Sequence, residues 1–419
     1  MTLTADQRRA IAAIDYEAMA TLLARLVDTP SPTGAERAAA DVIADYLSST
    51  SVELDVQAFA EGRANVIGQL RGSGSGPTLM LNGHLDTSYT GEESELSGSG
   101  YKNRSVLVDD EWMYGNGVHN MKSAVAAFAE VVASVDRSGV PLSGNIVFAA
   151  VAGEIEKSPF GRFQGPSYDG FGVGTAFALR NGLTADMCIL GEPTALTIGL
   201  SNLGILWIRL SVRGTMAHTQ HASEAVNAID RARWLMDGLD RWMRDYRDRH
   251  EYKGLRPAAD ITAIEGGWPY RLSRTPIFCD VFVCLRLPPT TTPTAVVSEL
   301  RAYLTTIESE VGSVDLDVYV SHPAAAIEAD EPVVAAIHRS HLEILRTEPV
   351  YRPRGAYMDS SHLVAYGIPT VVYGPSGRIR TAHPDAGWSP DLGEHTSLTD
   401  LRTFARIITA TVVDLCSTR

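Results

Sequence analysis

The sequence predicts an α/β fold in which a larger layered domain is interrupted by a smaller one. Three observations carry that prediction. Helix-period and strand-like apolar runs alternate as far as Leu190, the texture changes near Gly199 to strands alternating apolar with polar residues, and α/β patterning returns near the C-terminus.

Apolar residues recur at helical spacing from Tyr16 to Leu26, and the run stops in the breaker cluster Thr29-Pro30-Ser31-Pro32-Thr33-Gly34. A second amphipathic helix is expected over 35–47. The period then switches, and 64–70 and 78–84 read as strands, the latter apolar enough to be buried on both faces. Helix returns over 123–135, followed by a buried strand over 145–151. Beyond Gly199, residues 206–212 alternate as a half-solvated antiparallel strand does. A helix over 225–244, a strand over 278–287, a helix over 294–311 and a strand over 316–320 contain a βαβ unit and suffice for a separate small domain. The chain then resumes α/β character with a strand over 368–374 and closes on a helix over 398–415. No internal repeat or low-complexity tract interrupts this order.

With 419 residues, 45% hydrophobic and 21% charged, the chain is long enough for two buried cores, which excludes global disorder. Its 36 basic and 50 acidic residues give a formal charge of -14, which speaks against a nucleic-acid partner and leaves a small-molecule substrate as the expected one. Cys188, Cys279, Cys284 and Cys416 lack CxxC spacing and are too sparse for a disulfide framework, so a reducing cytoplasm is the expected location. The N-terminus has no signal-type apolar core and no stretch of about 18 apolar residues occurs, so no membrane partner is expected.

Several segments carry residue types suited to metal chemistry. His84-Leu85-Asp86 follows an apolar strand, where a neutral imidazole ligates a metal and Asp86 orients it. Tyr114-Gly115-Asn116-Gly117-Val118-His119-Asn120-Met121-Lys122 is glycine-rich and opens a helix, so its backbone and oxygens can approach a ligand closely. Glu154-Ile155-Glu156 follows a buried strand, where a carboxylate is costly unless it meets a cation, a proton or water. Gly191-Glu192-Pro193-Thr194 repeats the arrangement, with Pro193 fixing Glu192 at a turn. Thr381-Ala382-His383-Pro384-Asp385 adds a late histidine, and Glu394-His395 follows. Any one of these also reads as an ordinary strand end, cap or solvated loop; their order is what distinguishes them.

That order resembles the metallopeptidase family of aminoacylase, carboxypeptidase G, acetylornithine deacetylase and succinyl-diaminopimelate desuccinylase. The early Thr29–Gly34 cluster, the segments Gly214-Thr215-Met216-Ala217-His218 and Asn227-Ala228-Ile229, and Arg286-Leu287-Pro288 also look like this family's landmarks. The resemblance implies a zinc-peptidase-like catalytic domain with a mixed sheet, residues 1–202 and 322–419, interrupted at 203–321 by a smaller α+β lid domain that mediates dimerisation. A homodimer or higher homo-oligomer is therefore expected. By the family pattern His84 and Glu192 hold one metal, Asn120 occupies the bridging position, His383 belongs to a second metal, and Glu154 is the general base. His218, in the lid, reaches a neighbouring subunit's site and polarises the scissile group. Asn227 and Arg286 are substrate-binding candidates; Arg286, or the Arg271 and Arg274 pair, suits a bidentate contact with a substrate carboxylate.

Two departures alter the expected metal content. The family pattern has an aspartate before Met-Lys, here Asn120, and two adjacent glutamates, whereas Ile155 follows Glu154. Two divalent cations about 3.5 Å apart repel by roughly 19 kcal/mol at an effective dielectric of about 20, and neutral Asn120 brings no charge to offset it. One divalent transition metal per chain, zinc, manganese or cobalt, is expected over two. Glu394 lies 11 positions beyond His383 where the family has a short spacing, which leaves His395 as a competing ligand. The glycine- and aromatic-rich run 161–174 reads either as a substrate-facing loop or as a connector.

These residues suit hydrolysis of an amide or related carbon–nitrogen bond in a small anionic substrate, with Glu154 moving the proton. A second reading is hydrolytic deamination of an aromatic amine, as in the family relative 5-nitroanthranilate aminohydrolase, with Tyr89, Tyr101, Trp268 and Tyr270 as aromatic candidates. A third is a binding protein that retains the fold without catalysis.

Overall fold

A computed structural model describes residues 2–96, 98–380 and 392–417. The chain forms two compact units, one from Met1–Leu200, Ile327–Arg352 and Met358–Arg419, the other from Ser201–Ala326 with Pro353–Tyr357.

The first unit is built on a six-stranded mixed sheet in the order Glu53–Ala60, Arg63–Leu70, Asn145–Val151, Thr78–His84, Met187–Leu190, Thr370–Val372. The last four strands run parallel, and the first two join as an antiparallel pair at one edge. The parallel strands are buried on both faces, the environment that continuous apolar runs require. The edge strand Glu53–Ala60 escaped the sequence reading because its outward positions are polar and it alternates only weakly.

Helix Ser123–Ser138 is buried on every side from Ser123 to Val135. Ala124, Ala126, Ala127, Ala129 and Ala133 let neighbouring elements approach it closely, and helices Tyr16–Asp28 and Leu398–Cys416 share its core. Its buried Glu130 is satisfied by the Asp15 N–H at 2.6 Å, the Tyr46 hydroxyl and the Arg137 guanidinium. A second, four-stranded antiparallel sheet, Gly377–Arg380, Gly393–Ser397, Trp112–Tyr114 and Val106–Val108, belongs to the same unit.

The second unit is an α+β sandwich. Its antiparallel sheet runs Ala259–Gly266, Phe278–Leu287, Gly204–Arg213, Val314–His322, and helices Ala228–Arg249 and Pro293–Val311 share one core with the sheet's apolar face. The expected βαβ unit is present with Gly204–Arg213 lying between its two parallel strands. Among the described residues no helix is long and apolar enough to cross a membrane.

Phe404 is fully buried, 5.5 Å from the Phe128 ring and 6.0 Å from the Tyr373 ring, and so joins the closing helix to the central one. Phe404→Ala should lower unfolding free energy by about 3–5 kcal/mol. Urea denaturation measures this; a loss under about 1 kcal/mol would place Phe404 outside the cooperative core.

Candidate metal centre

The parallel strands set the site, because their C-terminal ends lie side by side and the turns leaving them converge. His84 ends Thr78–His84, Glu154 stands three residues beyond Asn145–Val151, and Glu192 two beyond Met187–Leu190. Ligand atoms of these three buried residues lie within 4.8 Å of one another. His84 Nε2 is 3.6 Å from Glu192 Oε1, 3.7 Å from Glu154 Oε2 and 3.3 Å from Asn120 Oδ1.

Asp86 organises this cluster. Its backbone carbonyl is 3.0 Å from His84 Nδ1 and its carboxylate Oδ1 is 3.4 Å away, which holds the proton on Nδ1 and leaves the Nε2 lone pair pointing into the cluster. Oδ1 also accepts the Glu154 N–H at 2.9 Å, and Oδ2 accepts the Ile155 N–H at 3.1 Å and the Thr33 hydroxyl at 2.9 Å. The backbone has therefore left the strand by Glu154 and wraps around a buried carboxylate. The regular alternation that would place Glu156 on the face of Glu154 does not hold; Glu156 is half-buried and outside the cluster.

The breaker segment forms the floor under Asp86. Ser31 donates its hydroxyl to the Leu85 carbonyl at 2.8 Å and accepts the Thr87 N–H at 3.0 Å through its own carbonyl. The turn carrying Glu192 is clamped to the loop after Thr370–Val372, where a Cβ on Gly374 would stand 2.1 Å from the Glu192 carbonyl oxygen. Only glycine fits there.

Asn120 sits in an irregular turn, Val118–Lys122, ahead of the central helix. Gly117 enters it at φ 78°, and a Cβ there would meet the Thr87 methyl at 2.5 Å. Buried Lys122 donates to the carbonyls of Leu26 at 2.7 Å and Thr29 at 3.1 Å, tying the turn to the end of helix Tyr16–Asp28. Glu394 accepts the N–H groups of His119 and Asn120, each at 3.0 Å. Burial pushes the Lys122 amine down to about 7 and the Glu394 carboxyl up to about 7. Glu394 thus supports the turn from below, while His395 stacks on Tyr114 with ring centroids 5.2 Å apart and is not in the cluster.

Burial by itself would lower the His84 imidazolium, but Asp86, Glu154 and Glu192 outweigh it and hold His84 well above its ordinary value. Burial and the Glu192 charge raise the Glu154 carboxyl well above the usual range. Burial also acts to raise Asp86, yet its contacts with His84 and the two N–H groups keep it low. His84 Nε2 and Asn120 Oδ1 lie 3.3 Å apart among carboxylates, an arrangement that either a proton on Nε2 or a cation satisfies. One imidazole nitrogen with carboxylate oxygens suits a divalent transition metal, so His84 and Glu192, with Asn120 and the Glu154 carboxylate beside them, fit one.

His383 lies outside the described residues. His218, Asn227 and Arg286 belong to the second unit: His218 Nδ1 accepts the Gln220 N–H at 3.2 Å, Asn227 caps helix Ala228–Arg249, and Arg286 lies on Phe278–Leu287. Two residues near the cluster escaped the sequence reading. Fully buried Asp359 precedes Ser360–Ala365, which reads as a helix cap, yet it makes no cap bond and instead accepts the Thr175 hydroxyl at 2.7 Å. Burial raises its carboxyl, and its charge is felt by Glu154. Half-buried Lys157, three residues past Glu154, has its amine lowered by burial, which outweighs the raising effect of the Asp86, Glu93 and Glu36 carboxylates. A lone lysine in a polar run carried no signal.

The chain matches the description "Peptidase family M20/M25/M40" over residues 80–413. It belongs to that family. It is 23% identical to the N-formyl-4-amino-5-aminomethyl-2-methylpyrimidine deformylase of Bacillus subtilis, covering 90% of this chain and 88% of that one. It is 26% identical to the succinyl-diaminopimelate desuccinylase of Roseobacter denitrificans, covering 85% and 90%. Among solved structures it resembles a tripeptidase from Staphylococcus aureus, with TM-score 0.75, 19% identity and coverage of 96% and 99%. Human carnosine dipeptidase 1 gives TM-score 0.71 at 14% identity, covering 99% of both chains. As a member of the M20/M25/M40 family, the chain is a metal-dependent hydrolase of carbon–nitrogen bonds.

Asp86→Asn removes the charge that orients His84 and accepts two N–H groups, and should weaken metal affinity by about 10–100-fold. Competition with a chelating dye measures it. Unchanged affinity would show that Asp86 does not organise the donors.

Proposed function

We propose that the chain hydrolyses an amide-type bond in a small anionic substrate, using one divalent transition metal per chain and Glu154 as general base. The observation that carries this reading is the convergence of His84, Glu154 and Glu192 in a buried cluster from which two family carboxylates are replaced by Asn120 and Ile155. The deformylase and desuccinylase relatives, whose names denote removal of acyl groups, support it.

Zinc, manganese or cobalt, when bound, supplies Lewis acidity and brings the pKa of water near neutrality. Asp86 holds His84 in the tautomer that donates through Nε2. Glu154, buried and with a raised affinity for protons, takes one from the attacking water and returns it to the departing nitrogen. His218, from a neighbouring subunit, stabilises the charge developing on the scissile oxygen. Arg286, with Asn227, binds the substrate's carboxylate. The second unit's edge strand Ala259–Gly266 exposes Ile264, and helix Ala228–Arg249 exposes Ile229 and Trp234, an apolar surface suited to pairing with a second copy. A cytoplasmic location is supported by the four free cysteines.

Hydrolytic deamination of an aromatic amine is the second reading, favoured by the edge-to-face pair of Tyr89 and Tyr101, 5.5 Å apart, close in sequence to His84 and Asp86. Product analysis separates the two: amide cleavage yields a carboxylic acid, deamination yields ammonia without one.

Glu154→Gln should lower kcat by at least about a hundredfold while leaving metal retained; near wild-type turnover would refute the base assignment. Elemental analysis after dialysis should find one metal equivalent per chain. The double variant Asn120→Asp with Ile155→Glu should gain a second. Two equivalents retained by the unaltered protein would overturn the single-metal reading.

A further inference from the structure

A cavity of about 490 Å³ opens against the small sheet, within the roughly 300–1,000 Å³ range of small-molecule sites. Strand register explains its lining. His395 pairs with both Tyr114 and Arg378, and Trp112 pairs with Ser397, so Trp112, Tyr114, His395 and Arg378 project from one face. Alternation sends Glu394 to the other face, where its carboxylate holds the turn of Asn120. The cavity is thereby distinct from the metal-binding cluster, although one strand contributes to both.

Its wall is aromatic: His395 stacks on Tyr114 at 5.2 Å and meets Trp112 edge-on at 5.6 Å. Trp112 remains 40% exposed. Arg378 is exposed, and its guanidinium has no ion-pair or hydrogen-bond partner among the described residues. Among the described lining residues the other charged group, Asp400, accepts the Ser376 hydroxyl and lies in the first turn of helix Leu398–Cys416, where the helix dipole offsets it. A guanidinium with no partner among the described residues, beside a flat aromatic wall on a chain of net charge -14, selects a planar anion.

We propose that this cavity binds an aromatic monocarboxylate, its ring against the wall of Trp112, His395 and Tyr114 and its carboxylate paired with Arg378. The proposal is independent of the reaction assigned above.

Calorimetry with benzoate on the metal-loaded full-length protein tests it. Trp112→Leu and Arg378→Ala, both at exposed positions, should each weaken benzoate binding by about tenfold or more, whereas Glu192→Gln should leave it unchanged. Benzyl alcohol, with the ring and no carboxylate, should bind at least about tenfold more weakly than benzoate. No binding of benzoate, unchanged affinity in Trp112→Leu or Arg378→Ala, or loss in Glu192→Gln, which would place benzoate at the metal-binding cluster, overturns it. Loss of turnover in Glu154→Gln bears on the reaction alone and leaves this site untouched.

Discussion

The Asp86 carboxylate is the interaction on which the site depends. It is fully buried, and a buried carboxylate persists only when its lone pairs are occupied. Here they take up the Thr33 hydroxyl, the N–H groups of Glu154 and Ile155, and the face of His84. Two remote stretches of chain, at Thr33 and at Glu154–Ile155, are fixed beside His84 by one side chain, so the orientation of His84 and the departure of Glu154 from its strand have a single cause.

A ring of supports surrounds that centre. Lys122 fastens the Asn120 turn to the carbonyls that end a helix, and Glu394 holds the same turn by two backbone N–H groups. Buried Arg63 grips Glu36 through two hydrogen bonds at 2.7 and 3.0 Å and donates to the Asp169 carbonyl at 2.7 Å. It thus anchors the glycine- and aromatic-rich run beyond Glu154 to the breaker loop. Pairs of this kind specify geometry more than they add stability, because desolvation offsets much of their attraction.

The donor set explains why the charge balance is unusual. Asn120 and Ile155 remove two negative charges that a pair of cations would need, while Glu154 and Glu192 still repel each other in a buried site. That repulsion, together with burial, gives a Glu154 that binds protons readily, as the proposed role in proton transfer requires.

Periodicity is local, so the two-part α/β organisation and the main strands and helices were legible in the sequence, while His84, Asp86, Glu154 and Glu192 were candidates from their places at strand ends and from the family resemblance, and the structure gathers them. The polar edge strand Glu53–Ala60 and the short strands of the small sheet were not, because their stability comes from pairing partners distant in the chain. The cap-like Asp359 and the isolated Lys157 gave no sign of their surroundings for the same reason. Asp86 itself was legible as the residue that orients His84. That it also accepts two backbone N–H groups and a hydroxyl from the breaker cluster was decided only by tertiary structure, since those hydrogen bonds join residues 53 to 69 positions apart.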